Sequence, residues 1–193
     1  MNASPHKLWT QDEFLIWAET QACRYEFDGM QPVAMTGGTA AHGIIQQNLY
    51  TALNNRLRGS SCRVYGPDNG VATVGKAIRY PDALVTCTRQ ELSARLISDV
   101  IVVFEIISPS SGRIDRFVKV REYGAVASIR RYVMIESTSL DLTVMARKEP
   151  STGWLTTTLT QGEILSLPEV GIDLPVAELY ADMDLADEEA APP

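Results

Sequence analysis

Two acidic residues stand where the chain offers them little water. Glu105 lies inside Asp99 to Ile107, DVIVVFEII, a β-branched and almost wholly apolar run. An ionised carboxylate in such a run costs several kcal/mol unless a cation or a hydrogen-bond network offsets it. Asp82 heads a second apolar stretch, in the order Ile78-Arg79-Tyr80-Pro81-Asp82-Ala83-Leu84-Val85, where Pro81 interrupts the ladder. On neighbouring strands the pair forms a set of hard oxygen ligands suited to Mg²⁺ or Mn²⁺, which take carboxylates at about 2.0 to 2.2 Å and retain several waters. Each acid also has a plainer reading. Glu105 fits a structural ion pair with an Arg or Lys, and Asp82 fits a turn.

The elements that must hold these residues follow from periodicity and punctuation. Thr10-Gln11-Asp12-Glu13 has the form of a capping box and predicts a helix through Phe14, Trp17 and Ala18. Residues 24–27, then Asp28-Gly29, then 30–35 read as a hairpin, with Pro32 marking its second strand as an edge or a bulge. After Thr36-Gly37-Gly38-Thr39, the residues Ile44, Ile45, Leu49, Leu53 and Leu57 recur at helical spacing and predict a long amphipathic helix ending near Gly59. Strands are expected over 62–65, 70–74 and 77–87, followed by a short helical crossover over 89–96.

The run at 99–107 reads as a central strand buried on both faces. A turn cluster over 108–112 leads into a helix over 114–126, on which Asp115, Lys119, Tyr123 and Val126 share one stripe. A hairpin over 131–135 and 140–146 and further β structure over 154–159 complete the pattern. This alternation predicts an α/β (α+β) fold with a mixed sheet flanked by helices.

At 193 residues, with 45% hydrophobic and 21% charged residues, the chain suits one globular domain over 1–180. Residues 181–193 are acidic with Ala and Pro and read as a disordered tail. No apolar run reaches the roughly 20 residues of a membrane span, and the N-terminus lacks a signal-peptide layout, so a cytosolic location without membrane association is expected. Cys23, Cys62 and Cys87 are odd in number and show no CxxC spacing. They indicate neither a disulfide framework nor a zinc site and read as small buried side chains.

The net charge of -7 argues against a nucleic-acid partner until its distribution is considered. The six acids from Glu178 onward leave residues 1–177 at -1. Between Arg113 and Arg131 there is a local excess of four positive charges, which fits a phosphate contact or a solvated helix face.

Five motifs stand in a recognisable order: YEFDG at 25–29, MTGGTAAH at 35–42, RYPD at 79–82, FEIISPSS at 104–111 and the Asp115, Lys119, Tyr123 series. Together they resemble the Uma-type family of restriction-endonuclease-type proteins over nearly all of residues 8–180. That family is similar to the PD-(D/E)XK nuclease superfamily, which implies a restriction-endonuclease-like core.

By this resemblance the metal ligands are Asp82 and Glu105, with Glu26 as the additional acid near the metal. Where the superfamily pattern has Lys two positions after the second acid, this chain has Ile107. The resemblance moves the Lys to the following helix, at Lys119, whose ammonium would stand near the attacking water and the scissile phosphate. The competing reading of Lys119 is an i, i+4 pair with Asp115. Glu26 also fits a surface hairpin position. His42 matches the family's His, as a proton carrier or phosphate contact, or as a residue that only caps its helix. Ser108, Asp115 and Tyr123 are supporting residues.

The implied activity is Mg²⁺- or Mn²⁺-dependent hydrolysis of phosphodiester bonds in DNA, in a homodimer able to reach two strands. The alternatives are a catalytically inactive interaction protein of the same fold, and a phosphodiesterase acting on RNA or a small substrate.

Overall fold

Pro81 divides what reads in sequence as one strand, 77–87, into two strands that belong to different sheets. In the computed structural model, which describes residues 8–108 and 115–183 apart from the side chain of Asp115, β5 (Ile78–Arg79) ends just before it. β6 (Ala83–Thr86) begins after Asp82. A proline donates no ladder hydrogen bond, so the chain turns a corner there.

β5 belongs to a small antiparallel sheet ordered β2-β1-β5-β4, with β1 (Tyr25–Phe27), β2 (Pro32–Ala34) and β4 (Val71–Ala72). Pro32 sits on β2, an edge strand, as its missing donor requires. The β1–β2 turn is wider than a two-residue loop. Asp28 Oδ1 accepts from the backbone N–H of both Met30 and Gln31 at 2.7 Å, while Gly29 takes φ 92°. A Cβ at Gly29 would stand 2.3 Å from the Gly75 carbonyl oxygen, so glycine is required there twice over.

The large sheet has six strands in the order β10-β9-β8-β7-β6-β3. These are β3 (Arg63–Tyr65), β6, β7 (Val100–Ile107), β8 (Arg131–Glu136), β9 (Asp141–Ala146) and β10 (Leu155–Thr160). Only β7 and β8 pair in parallel, so the sheet is mixed. β7 has neighbours on both sides and seven of its eight residues are buried, which accounts for its apolar sequence.

One face of this sheet joins Val102, Phe104, Ile106, Val133 and Ile135 to Ile45, Leu49 and Leu53 of α2 (Ala40–Leu57). The β11 (Ile164–Leu167) and β12 (Ile172–Pro175) hairpin and α4 (Val176–Leu179) complete that core. The other face joins Val103, Ile107, Tyr132 and Met134 to Tyr123 and Ile129. Tyr123 lies on α3 (Val120–Gly124), which continues a π-helical turn over Asp115–Lys119. A third cluster, Phe14, Phe27 and Ile78, ties α1 (Gln11–Ala18) to the small sheet. The Thr10–Glu13 capping box forms as expected, with Glu13 N donating to Thr10 Oγ1 at 3.1 Å and Thr10 N donating to Glu13 Oε2 at 2.9 Å.

Three sequence expectations are corrected. Residues 89–96 form no helix; turns there are fixed by Gln90, whose side chain accepts from Ser98 N and donates to Thr88 O. Cys62 and Cys87 form a disulfide across the β3–β6 pair, one step beyond the Arg63 and Thr86 partners, a long-range adjacency that spacing in sequence does not reveal. Cys23 is exposed, not buried. The turn expected over 108–112 and the acidic tail fall largely outside the described residues. Among the described residues no helix is long and apolar enough to cross a membrane.

Candidate active site

The β6–β7 register pairs Ala83 with Phe104, and Asp82 and Glu105 are the residues next to that pair, one on each chain segment. Asp82 lies just outside β6, and its Oδ2 accepts the backbone N–H of Ile106 at 2.7 Å. A side-chain oxygen thus takes a donor of β7 at the point where the neighbouring chain turns away. Its Oδ1 lies 2.9 Å from His42 Nε2 and accepts from Gln46 Nε2 at 3.3 Å. Tyr50 donates its hydroxyl to the Asp82 carbonyl. His42, Gln46 and Tyr50 stand at steps of four on α2, one polar stripe along an otherwise core-facing helix. Burial and the Asp82 charge raise the Tyr50 phenol above its ordinary range, which keeps it a donor.

Glu105 is 5% exposed and finds its compensation on the helix that follows. Lys119 Nζ stands 2.9 Å and the Tyr123 hydroxyl 2.8 Å from Glu105 Oε1. Residues four apart on a helix share a face, so the 119 and 123 spacing delivers both donors to one oxygen. Tyr123 is fully buried. Desolvation, and then the Glu105 charge, push its phenol well above the ordinary value.

Lys119 also lies 3.4 Å from Glu26 Oε1. Glu26 is buried, not a surface hairpin residue, and its Oε2 accepts from Arg79 Nη1 at 2.9 Å. Arg79 grips Glu122 with a fork, Nε to Oε2 at 2.6 Å and Nη2 to Oε1 at 2.8 Å. Burial opposes the Arg79 charge, but the bonds to Glu122 and the charge of Glu26 outweigh it, holding the guanidinium pKa above its usual value. The result is a chain, Glu105, Lys119, Glu26, Arg79, Glu122, with acids and cations in alternation, buried except at its half-buried end, Glu122.

The structure therefore gathers Glu105, Lys119, Glu26 and Tyr123 on one side, and Asp82 with His42 on another. Asp82 takes its helical partners from α2, on the Phe104 face of the sheet. Glu105 takes its own from the opposite, Val103 face. The Ile106 amide is the link between the two groups. Among the described residues no group of three or more His, Cys, Asp or Glu is placed to hold a metal ion. Sequence reasoning passed over Arg79, Glu122, Gln46 and Tyr50. The four-residue step from His42 to Gln46 and Tyr50 was available as a signal, whereas the Arg79 to Glu122 fork joins distant segments and had none.

The chain matches the profile of the Uma2 family, described as "Putative restriction endonuclease", over residues 11–177. It belongs to this family. It is 29% identical over 180 residues to the uncharacterized protein slr1290 of Synechocystis sp., spanning 92% of this chain and 94% of that one. Its fold is similar to the crystal structure of a nuclease from Anabaena variabilis, described as putative and as belonging to DUF820. The TM-score is 0.67 at 16% identity, covering 90% of this chain and 98% of the other. At that identity the likeness shows a shared Uma2-type fold, which agrees with the mixed α+β architecture expected from sequence.

Proposed function

We propose that this Uma2 protein is a divalent-metal-dependent endonuclease that hydrolyses phosphodiester bonds in DNA, with Asp82 and Glu105 as the metal ligands. The observation that carries the reading is that Asp82 and Glu105 both flank the Ala83–Phe104 pair, Asp82 bonded to the Ile106 amide next to Glu105, with the Lys119 ammonium on Glu105 itself. The donor set is all hard oxygen. Mg²⁺ and Mn²⁺ suit it, because they use one or two protein carboxylates and complete their shell with water, without a cage of three side chains.

When bound, such an ion neutralises phosphate charge and makes water more acidic. The chain's own residues supply the rest. Asp82 is held in one orientation by the Ile106 amide, His42 and Gln46. His42, beside Asp82, carries a proton between the site and solvent. Lys119 offsets the negative charge that grows on the phosphate as water attacks phosphorus and the P–O bond to the leaving alcohol breaks. Glu26, whose oxygens meet Arg79, Lys119 and the Tyr80 amide, positions Lys119 in this reading and is the additional acid beside the two ligands. A cytosolic homodimer completes the proposal, and light scattering reports its size.

The test is cleavage of plasmid DNA, single-stranded DNA and RNA with Mg²⁺, Mn²⁺ or EDTA, comparing the wild type with Asp82→Asn and Glu105→Gln. Metal-dependent DNA cleavage lost in both variants supports the reading. Identical traces from correctly folded variants eliminate it, and cleavage of RNA alone reassigns the substrate. One observation favours a non-catalytic protein of the same fold: the two acids draw partners from opposite faces of the sheet. Mn²⁺ titration of the wild type separates these readings, since the non-catalytic one expects no binding that depends on Asp82.

A further inference from the structure

A cleft of about 890 Å³ opens at the end of the large sheet remote from the buried carboxylates. It is lined where β7 and β8 begin and β9 ends, at Ile101, Arg131 and Ala146. Ile101 lies four residues before Glu105, roughly 13 Å along an extended strand. The volume falls in the range of small-molecule sites.

The charge of this cleft is one-sided. Arg130, Arg131, Arg147 and Lys148 line it, against a single acid, Glu169. Glu169 is committed to Arg131, with Nη2 to Oε1 at 2.8 Å and Nε to Oε2 at 3.2 Å. The other three cations have no carboxylate partner among the described residues.

Arg147 is buried, and its donors go to backbone carbonyls, including Ile129 O at 2.9 Å and Pro150 O at 3.1 Å. Its guanidinium lies 4.7 Å over the Trp154 ring. The hydrogen bonds are satisfied while the charge is not balanced, so Arg147 projects positive potential into the cleft. Arg130 donates one bond to Lys148 O, and Lys148 is exposed. Beside these cations the wall is apolar, with Ile101, Ala146 and Leu155, the last 72% exposed despite its size.

A cationic end and an apolar wall call for a ligand with an anion at one end and a flat, weakly polar body. We propose that this cleft binds a nucleoside phosphate, with Arg130 and Lys148 on the phosphate and Leu155 against the base or sugar. The site is separate from the carboxylate cluster and does not depend on the nuclease reading. The same chemistry is offered by a free mononucleotide and by a nucleotide within a single strand.

The test is calorimetric titration of the full chain in EDTA with inorganic phosphate, adenosine 5′-monophosphate, adenosine, and octathymidylate. The wild type, Lys148→Glu, Leu155→Ser and Glu105→Gln are compared. The mononucleotide or the octamer is expected to bind more tightly than phosphate or adenosine, each half of the ligand adding affinity. Binding weakens about tenfold in Lys148→Glu, the worth of a charged hydrogen bond, and remains unchanged in Glu105→Gln. For the octamer the dependence on log salt falls by about one in Lys148→Glu. Saturation by the mononucleotide identifies a free nucleotide as sufficient; binding of the octamer alone identifies a strand. No saturation by either at millimolar concentration, equal binding by folded Lys148→Glu, or loss of mononucleotide binding in folded Glu105→Gln overturns the proposal. Because the titration involves no cleavage, inactive DNA hydrolysis leaves this result standing on its own.

Discussion

Lys119 reaches Glu105 Oε1 at 2.9 Å from a segment that begins beyond the end of β7, and the same ammonium lies 3.4 Å from Glu26 on the small sheet. One cation thus joins the two sheets through two buried carboxylates. A single positive charge shared in this way is worth more intact than its separate contacts suggest, because removing it takes a positive charge from two carboxylates in a poorly solvated place, of which Glu26 retains Arg79.

Lys119→Met is therefore expected to destabilise the protein by about 3 to 5 kcal/mol, the cost of stranding a buried charge. Adding Glu105→Gln restores part of that loss, since the amide needs no cation. Urea unfolding of the two single variants and the double measures this coupling. A Lys119→Met loss within about 0.5 kcal/mol would place the pair among surface contacts and end the argument.

Tyr123 donates to the same oxygen, and its phenol, like those of Tyr50, Tyr80 and Tyr180, is raised by burial. A raised folded pKa means that the folded state keeps a proton which the unfolded chain releases above about pH 10. Stability attached to these groups is complete below that pH and declines as pH rises, by up to about 1.4 kcal/mol per pH unit for the fully buried Tyr123 and by less for the half-buried Tyr50 and Tyr80, where solvent screens the charge. Tyr123→Phe is expected to lower stability at pH 8 by about 1.5 to 3 kcal/mol, through the lost bond to a charged acceptor, and to flatten the alkaline decline. Denaturant midpoints from pH 8 to 11 test both signs; a decline equally steep in the variant contradicts the assignment.

Much of this was legible locally. The capping box at Thr10, the apolar period of α2 and the continuous run of β7 each express one physical rule over a few residues, and each element formed where expected. Glu105 could be singled out because its neighbours are apolar, and Lys119 because the family resemblance points to it, on a stripe that a step of four shares with Tyr123. What sequence did not disclose is long-range. Pro81 predicts a break but not that the chain changes sheets there. Cys62 meets Cys87 only through strand pairing. The face from which each acid draws its partners depends on helix placement, so sequence could put Asp82 and Glu105 on neighbouring strands while leaving the split between α2 and the Lys119 segment unseen.

Arg79 is the other cation of the buried chain, and its role depends on shape as well as charge. It offers Nη1 to Glu26 while Nε and Nη2 hold Glu122. Arg79→Lys preserves the charge but cannot fork, so a loss of about 1 to 3 kcal/mol is expected. Glu122→Gln should then cost less in the Arg79→Lys background than in the wild type, because the fork has already gone. Additive losses in the thermal or urea unfolding of this cycle would show that the two side chains do not act as a unit.

Asp82 separates structure from chemistry most cleanly, because its two oxygens face different tasks. Oδ2 accepts from the Ile106 amide at 2.7 Å, and Oδ1 faces His42 and Gln46. Asp82→Ala leaves the Ile106 N–H without its acceptor and should cost about 1 to 3 kcal/mol. Asp82→Asn keeps an oxygen for that amide but surrenders the negative charge, so it is expected to fold with stability close to wild type while losing cleavage. Mn²⁺ should raise the melting temperature of the wild type by mass action and fail to do so for the Asn variant. Should Asp82→Asn cleave DNA at the wild-type rate, or gain the same metal-dependent stabilisation, Asp82 would be a structural acceptor only and the metal would have to be sought elsewhere.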